Sequence, residues 1–357
     1  MSAPSHIERP AITAHPLLTG AAAIAGALAL AAGSEATGIV ASYTFLHLSL
    51  ALVMGIAVLG LNVVTGYAGQ ISLGHGAFFA IGAYAMAMAV GHAAAPIWIA
   101  LPLAAIVCFC AGFAFARPIL RLEGPYLALA TFALAIAVPQ ALKYRHLEPL
   151  TGGATGLHFV KPDAPFGLPL SPDRWLFVLV VVVAVVAFGL VRNVVQSGFG
   201  RSMMAIRENE TAARALGIDT ARVKGLAFAL SAAVTGVAGA LHALLFEFVS
   251  PDSYRFDLSL AIFVGGVVGG IATLPGALVG GAFVHLVHRY ADAVARALSD
   301  TFDLPLTLQP AMIYGVVLIC LVYLAPSGIY GAAREMVRRW WMSRPNAGRK
   351  PAAPNAP

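Results

Sequence analysis

Long apolar runs recur along the whole chain and are separated by short polar connections. Each run is close to the roughly 20 residues that an α-helix needs to cross a hydrocarbon core about 30 Å thick. The runs lack the regular alternation of apolar and polar residues that marks the strands of a membrane β-barrel. The pattern therefore predicts an all-α, polytopic integral membrane protein of about 8–10 transmembrane helices. The candidate spans are 17–33, 39–61, 75–91, 97–116, 124–142, 174–192, 225–246, 258–272, 275–288 and 308–325.

Lysine and arginine are distributed unevenly between the two sides that these spans define. One side holds 15 of the 22 Lys and Arg residues, in the segments 1–16, 62–74, 117–123, 192–224 and 326–357. Positively charged connections are enriched on the cytoplasmic side of membrane proteins. We therefore expect both termini to be cytoplasmic.

This topology divides the chain into a cytoplasmic N-terminus at 1–16, a transmembrane domain at 17–330 and a basic cytoplasmic tail at 331–357. Within the domain, 193–224 is predicted to be a cytoplasmic loop and 143–173 a loop on the outer side that is too irregular for one helix. The end of the tail is rich in Pro, Ala and Asn and is predicted to be disordered.

Composition supports this assignment and excludes several other classes of protein. Hydrophobic residues make up 59% of the chain and charged residues only 11%, whereas about 25% charged residues is usual for a globular domain. The net charge of +6 could suggest nucleic acid, but the cations cluster beside apolar runs, so we expect contact with membrane lipid and none with nucleic acid. The three cysteines lie inside apolar runs, which favours packing roles over a disulfide or metal site.

The first apolar run has two interpretations. The span 17–33 follows a short N-terminus that carries Arg9, a pattern also found in cleaved signal peptides. Because many spans follow it, we favour an uncleaved first helix.

Two glycine-rich stretches interrupt the apolar pattern. TGYAGQISLGHG at 65–76 joins the second and third spans, and GGVVGGIATLPGALVGG at 265–281 separates two apolar halves that are each short for a crossing. Proline ends a helix at or before the preceding residue, which predicts a break near Thr273–Pro275. Irregular backbone at membrane depth is tolerated only where protein buries it or a wet cavity meets it. The polar candidates for a translocation pathway at these breaks are Gln70, Ser72, His75 and Thr273.

Two hypotheses stay open for these glycine-rich stretches. Glycines let helices pack closely, which requires no further role. Paired broken helices also mark the substrate route of many transporters. His75 taken alone fits a hydrogen-bonded structural histidine better than a ligand-binding one.

The chain lacks the motifs of an enzyme. It has no G-x-x-x-x-G-K-[ST] phosphate loop, so we expect no ATP binding here, and it has no H-E-x-x-H motif or nucleophile elbow. We therefore expect no cofactor and no metal. Acidic residues are almost missing from the spans, which argues against ion-coupled transport and leaves transport driven by a partner.

The segment ENETAARALGIDTARVK at 208–224 is unusually charged for this chain. Its alanines favour a helix that runs to Leu216, and Gly217 is a natural residue for the left-handed turn after a helix. Asp219 or Thr220 can then cap the following membrane helix. The sequence thus predicts a helix, a tight glycine turn and a membrane helix.

The two faces of this predicted helix differ. Arg207, Glu210 and Arg214 share one stripe, and Glu210 and Arg214 are spaced for an i,i+4 ion pair. The opposite face is small and apolar, and it includes Ala212 and Ala213. So short a helix is marginal alone in water, which favours docking on another protein. A solvated loop of helical propensity is the alternative.

Five stretches together carry a resemblance that covers about 40–335. They are GLNVVTGYAGQISLGHGAFFAIGAYA (60–85), EGPYLALATFALA (123–135), LTGGATGL (150–157), SGFGRSMMAIRENETAARALGID (197–219) and GGVVGGIATLPGALVGGAF (265–283). In them the chain resembles the inner-membrane permease of branched-chain amino acid ABC importers, of the LivM type.

The resemblance implies a permease subunit in the bacterial inner membrane that assembles with four further chains. These are a second permease of the LivH type, two cytoplasmic ABC ATPases and a periplasmic solute-binding protein. It also implies that the loop 193–224 carries an ATPase-coupling helix, although Thr211 stands where the commonest form of that helix has an alanine. The coupling residues would be Arg207, Glu208, Glu210, Ala212, Ala213, Arg214 and Gly217, and the outer residues Thr151, Gly152, Gly153 and Thr155 would contact the binding protein.

The expected function is therefore a non-enzymatic pathway subunit whose transport is driven by ATP hydrolysis on another chain. The solute would be a branched-chain amino acid or a related small molecule such as urea, a short amide or an aromatic acid. Two alternatives remain, a stand-alone channel or facilitator for a small neutral solute such as urea or a short amide, and a membrane scaffold without transport.

Overall fold

The computed structural model describes residues 16–37, 42–119, 124–161, 164, 170–302, 312, 315–316, 319–320 and 328–342. Within this part of the chain the structure is almost entirely helical. The helices are α1 (Pro16–Thr37), α2 (Ser42–Leu61), α3 (His75–Gly91), α4 (Ile97–Ile119), α5 (Pro125–Leu142), α6 (Glu148–Thr151), α7 (Pro172–Gln196), α8 (Gly198–Glu208), α9 (Glu210–Ala215), α10 (Thr220–Phe246), α11 (Phe256–Gly269), α12 (Leu274–Phe302) and α13 (Gly328–Met342). A π-helical turn (Asn62–Tyr67) extends α2, a 3-10 turn (Pro251–Tyr254) precedes α11, and the strands are β1 (Leu157–His158) and β2 (Phe248–Val249).

The predicted fold class is confirmed. Five described helices are long and apolar enough to cross a membrane, at Tyr43–Tyr67, Ile97–Pro118, Pro125–Leu142, Pro172–Gln196 and Thr220–Phe246, and Gly20–Ser34 and His75–Gly91 are shorter apolar helices. The predicted spans 258–272 and 275–288 correspond to α11 and the first half of α12. The predicted last span and the ends of both termini lie largely outside the described residues.

Both predicted interruptions are present. The first break is residues 68–74, between the π-helical turn and α3, and the second break is residues 270–273, between α11 and α12. At the second break Gly270 and Ala272 both have positive φ angles, of 111° and 64°. The break begins a few residues before Pro275, so Pro275 lies in the first turn of α12, where its missing N–H breaks no helical hydrogen bond.

Two helices form the centre of the protein. In the best membrane-spanning windows of α2 and α10, 78% and 72% of residues are buried, against 28% and 33% for α4 and α5. The outer helices therefore expose large apolar side chains, including Trp98, Ile99 and Ile106 of α4, that suit contact with lipid or another membrane protein.

Glycines let α10 approach α3 backbone to backbone. A Cβ atom at Gly82 would lie 2.0 Å from the carbonyl oxygen of Gly236, and one at Gly239 would lie 1.9 Å from that of Phe79. No side chain fits such gaps, so this contact requires glycine on both helices. These glycines lie outside the two glycine-rich stretches that the sequence singles out, so glycine also serves close helix packing elsewhere in the chain.

The outer loop predicted at 143–173 is folded against the end of α10. The two strands pair antiparallel, with Leu157 opposite Val249 and His158 opposite Phe248. Within the described part of 143–173 there is no single long helix, as predicted, but a short α6, a glycine turn and β1.

We predict that Gly82→Ala destabilises the protein because its methyl group must displace the α10 backbone. Overpacking of this kind costs about 1–3 kcal/mol or more. Gly189→Ala on α7 is the matched control, since a Cβ there has nothing within 4 Å and alanine has the better helix propensity. Thermal unfolding of the detergent-purified protein should show a lower midpoint for Gly82→Ala and an equal or higher one for Gly189→Ala. Equal midpoints for the two variants would contradict the glycine contact.

Candidate functional site at the charged loop

The charged loop (residues 193–224) contains two short helices rather than the one that its alanines predict. Asn209 has an extended backbone, with φ −159° and ψ 107°, and separates α8 from α9. Its side-chain oxygen accepts a hydrogen bond from the amide of Ala212 at 2.9 Å, so it acts as the N-cap of α9. The single predicted helix was wrong because an asparagine side chain competes for backbone amides and starts a new helix.

The predicted glycine turn is confirmed. Gly217 has φ +83°. Its amide donates to the carbonyl of Arg214 at 2.9 Å, and the amide of Ile218 donates to the carbonyl of Ala213 at 3.1 Å. These two bonds form the Schellman motif that closes helices at a left-handed residue. Of the two predicted caps of α10, Asp219 is the one that the structure uses, through an acceptor bond from the amide of Arg222 at 3.0 Å.

Glu210 connects α9 to the start of α10. Its carboxylate lies 2.7 Å from Arg214 and 2.5 Å from Lys224. Burial alone would raise the pKa of Glu210, but the hydrogen bond and charge of Lys224, with hydrogen bonds from Arg214 and Thr220, outweigh it and lower the pKa below its ordinary value of 4.5. The predicted i,i+4 pair is thus one half of a larger ionic contact.

The exposed face of α9 differs from the predicted one. Ala213 is only 2% exposed and packs inside the chain, so it does not face outward with Ala212. The large apolar side chain of this helix end is Leu216, which is 81% exposed. A helical wheel that treats residues 205–216 as one continuous helix misplaces Ala213, because a new helix begins after Asn209. The exposed residues that face away from the protein, here called the docking face, are Glu208, Thr211, Ala212, Ala215 and Leu216.

Arg207 lies between the charged loop and the first break. Its guanidinium donates to the carbonyl of Gly66 at 2.5 Å. A Cβ atom at Gly69 would lie 2.8 Å from the Arg207 side chain, so Gly69, at φ +72°, keeps room for this arginine. The sequence placed Arg207 on the same stripe as Glu210, yet the structure turns it toward the broken backbone.

The second break lies against the π-helical turn that precedes the first break, and one hydrogen bond joins them. The Asn62 amide donates to the carbonyl of Thr273 at 3.3 Å. A Cβ atom at Gly66 would lie 2.6 Å from the backbone nitrogen of Ala272. The Thr273 hydroxyl donates to the carbonyl of Gly270 at 2.8 Å. Thr273 therefore holds the second break together.

His75 and Ser72 are parts of a buried hydrogen-bond chain. The two nitrogens of His75 lie 3.1 Å from the Ser72 hydroxyl and 2.6 Å from the Ser231 hydroxyl. Since Ser231 donates its own proton to the carbonyl of Gly60 at 2.6 Å, it accepts from Nε2–H of His75, and Nδ1 accepts from Ser72. These contacts favour the structural role for His75, which is 1% exposed.

Gln70 differs from the other pathway candidates in the surroundings of its polar group. Its side chain is 5% exposed, and neither amide atom has a hydrogen-bond partner among the described residues. It lines a cavity of about 290 Å³ together with Gly69, Arg207, Glu210 and Lys224. This cavity lies between the first break and the charged loop.

The four outer-loop candidates form a compact turn. Thr151 is buried, and its hydroxyl donates to the carbonyl of Leu142 at 2.8 Å. Gly152 and Gly153 have φ angles of 69° and 58°. The Thr155 hydroxyl donates to the carbonyl of Gly152 at 2.7 Å. Of the four, Thr155 alone is exposed in the structure, which leaves the others with roles in the turn.

Sequence reasoning missed a larger cavity at the opposite end of α10. Its volume is about 730 Å³, and it lies between α2, α10, the 3-10 turn, α11 and α12. Four of the chain's 10 histidines line it, at His47, His242, His285 and His288. The signal that could have found it is the placement of these histidines in three different spans, on the side opposite the charged loop.

The chain is similar to a known protein family over most of its length. The family model described as the permease component of branched-chain amino acid transport systems matches residues 43–324. The LivM permease of Salmonella typhimurium is 32% identical over 78% of this chain and 68% of its own length. The LivM permease of Escherichia coli is 30% identical over 85% and 72%, and BraD of Pseudomonas aeruginosa is 25% identical over 76% and 90%. No solved structure matches the chain significantly.

We predict that Gly217→Val loosens α9 through backbone strain alone. A Cβ at Gly217 meets nothing within 4 Å, so no steric clash contributes, whereas the left-handed conformation costs other residues about 1–2 kcal/mol. Amide hydrogen exchange at residues 216–218 should become about 5–30-fold faster. Gly217→Asn is the control, because asparagine tolerates this conformation, and it should stay near the wild-type rate. Equal exchange in all three proteins would count against the glycine turn.

We also predict a pH-dependent role for Glu210. Because its folded pKa is below the ordinary value of 4.5, its contribution to loop stability is present above that value and is lost as pH falls through the folded pKa. Hydrogen exchange of α9 should therefore be faster in Glu210→Gln than in the wild type near neutral pH, and the two rates should converge in strong acid. A difference that persists in strong acid would show that the charge is not responsible.

Proposed function

The chain belongs to the permease family of branched-chain amino acid transport systems, and we propose from this premise how it is driven and what it carries. As a member it is a permease subunit of an ABC importer and a multi-pass protein of the bacterial inner membrane. We propose that it forms, with a second permease, the pathway for branched-chain amino acids. The relatives from Salmonella and Escherichia carry that solute in their names.

The proposed driving partners are two cytoplasmic ATPases that bind the docking face of the charged loop. The observation that carries this proposal is Leu216, an apolar side chain that is 81% exposed on a loop bound firmly to the protein. Glu210 ties that loop to α10, and Arg207 ties it to the π-helical turn just before the first break. Motion of the loop would therefore reach both the central helix and the broken backbone.

The orientation and the remaining partner follow from the same proposal. The charged loop and both termini would face the cytoplasm, as the distribution of Lys and Arg favours. The turn at Thr151–Thr155 would then face the periplasm, where a solute-binding protein delivers the solute. ATP would be hydrolysed by the partner chains rather than by this one. A stand-alone channel has no observation in its favour.

The pathway candidates have unequal support within this proposal. We propose Gln70 as a residue at the cytoplasmic end of the pathway, since its buried amide has no hydrogen-bond partner in the part of the chain that the structure describes. His75, Ser72 and Thr273 would instead hold the breaks in place through their hydrogen bonds.

We predict that Leu216→Asp weakens binding of the ATPase by about tenfold or more, as expected when an exposed apolar contact is replaced by a charge. Membrane insertion should be normal because Leu216 touches little of its own chain. Val160→Asp is the matched control, since Val160 is 83% exposed at the other end of the protein. Co-purification of the ATPase and solute uptake in cells are the measurements. Full ATPase recovery and uptake with Leu216→Asp would overturn the proposed docking face.

Ala213→Arg is not a test of docking. Because Ala213 is buried within the loop, an arginine there would disrupt α9 itself, and loss of uptake would not separate misfolding from lost contact.

A further inference from the structure

The large cavity noted above lies at the end of the protein farthest from the charged loop. α10 begins at the loop and ends at the cavity, and its 27 residues span about 40 Å. Along α2 the cavity extends from His47 to Met54, which is about 10 Å of depth. It is therefore a pocket that enters the membrane domain from the side opposite the docking face.

The deep part of the cavity is apolar. Leu50, Met54 and Ala261 form part of its wall, and all three side chains come from the membrane helices α2 and α11. Burial of aliphatic surface against such a wall lowers the free energy of binding. A purely polar solute receives no such contribution. A ligand that fills the cavity should therefore have an apolar part.

The outer part of the cavity is charged, and its charges are only partly balanced. Asp252 is bound by Lys143, at 2.6 Å. The other charged lining residues, Arg255, Asp257 and Arg289, make no ion pair with any residue that the structure describes. Two guanidinium groups and one carboxylate are thus left to face a ligand. Guanidinium groups bind carboxylates with paired hydrogen bonds, and a carboxylate attracts an ammonium group.

Uncharged polar atoms in the lining also lack partners. Four buried atoms of lining residues have no hydrogen-bond partner among the described residues, and they are Nδ1 of His47, Nδ1 of His242, Nε2 of His285 and the Tyr254 hydroxyl. Buried polar atoms are normally hydrogen-bonded, so water or a polar solute must supply the bonds. Small-molecule sites commonly combine an apolar wall with a few polar groups that are free to bind the ligand.

We infer that this cavity is the site at which the chain holds its solute on the outer side, and that the solute is a zwitterionic amino acid with an aliphatic side chain. The aliphatic part lies against Leu50, Met54 and Ala261, and the carboxylate lies near Arg255 and Arg289. The ammonium group lies near Asp257. This inference rests on the proposed importer function. It also separates the solutes that the sequence left open, because urea and short amides have neither the charge for the arginines nor the apolar surface for the wall.

The test is binding of labelled L-leucine to the purified importer, assembled with its second permease and ATPases but without the binding protein. Unlabelled 4-methylpentanoate, which lacks the ammonium group, and 3-methylbutylamine, which lacks the carboxylate, are the competitors, with urea as a third. Leucine should bind most tightly and urea least. Competition by urea as strong as that by leucine would overturn the inference.

Removing a positive charge and removing a negative charge should weaken the binding of different ligands. Arg255→Gln and Arg289→Gln should each weaken binding of leucine and 4-methylpentanoate by about tenfold and leave 3-methylbutylamine unchanged, since a lost charged contact of about 1.4 kcal/mol corresponds to that factor. Asp257→Asn should weaken leucine and 3-methylbutylamine but not 4-methylpentanoate. Arg145→Gln is the matched control, an exposed arginine outside the cavity, and it should match the wild type. Uniform effects on all ligands, or none, would overturn the inference.

Two further outcomes separate this inference from the proposed function. If the wild-type importer takes up leucine and Leu216→Asp abolishes that uptake, while the cavity variants bind and transport normally, the cavity assignment fails and the importer function stands. If the cavity variants lose the second permease on purification, these residues form a subunit contact, and the assignment again fails. If the wild-type importer shows no ATP-dependent uptake of any solute, the proposed function fails.

Discussion

Backbone that leaves the helical pattern inside a membrane domain must have its polar groups met by protein, because lipid cannot hydrogen-bond them. Residues 68–74 meet this constraint through bonds to nearby residues and, at Leu73, through a distant side chain. Thr131 accepts from the amide of Leu73 at 2.9 Å, and Arg207 donates to the carbonyl of Gly66 just before the break. The second break contributes the Thr273 carbonyl that binds Asn62. The arrangement of α2, α5, α11 and the charged loop around one place follows from this requirement.

The same constraint explains why an arginine of the charged loop is tied to the membrane domain. Arg207 leaves α8 toward the π-helical turn, while Glu210, three residues later, is bound to Lys224 at the start of α10. The loop is therefore held at two points, one on the broken backbone and one on the most buried long helix after α2. A force on the docking face cannot move the loop without moving at least one of these two elements.

α10 joins the charged loop to the large cavity. Its first residues belong to the charged loop, and its last residues, with β2 and the 3-10 turn, form one wall of the large cavity. Between them the helix approaches α3 so closely that Gly82 and Gly239 leave no space for a side chain. Close glycine contacts of this kind let the two helices pack backbone to backbone.

The sequence by itself determined the features that depend on a few neighbouring residues. The positions of the spans follow from the length of apolar runs, the breaks follow from glycine and proline, and the left-handed turn at Gly217 follows from the residue type. Only the tertiary structure decided which faces are buried and which distant residues meet. Ala213 faces inward because Asn209 restarts the helix, His75 meets Ser231 across 156 residues of sequence, and Arg207 meets Gly66 across 141. The large cavity likewise draws its histidines from α2, α10 and α12. A helical pattern gives the period of a helix but not its rotation or its neighbours, and those are set by packing among helices that are far apart in the chain.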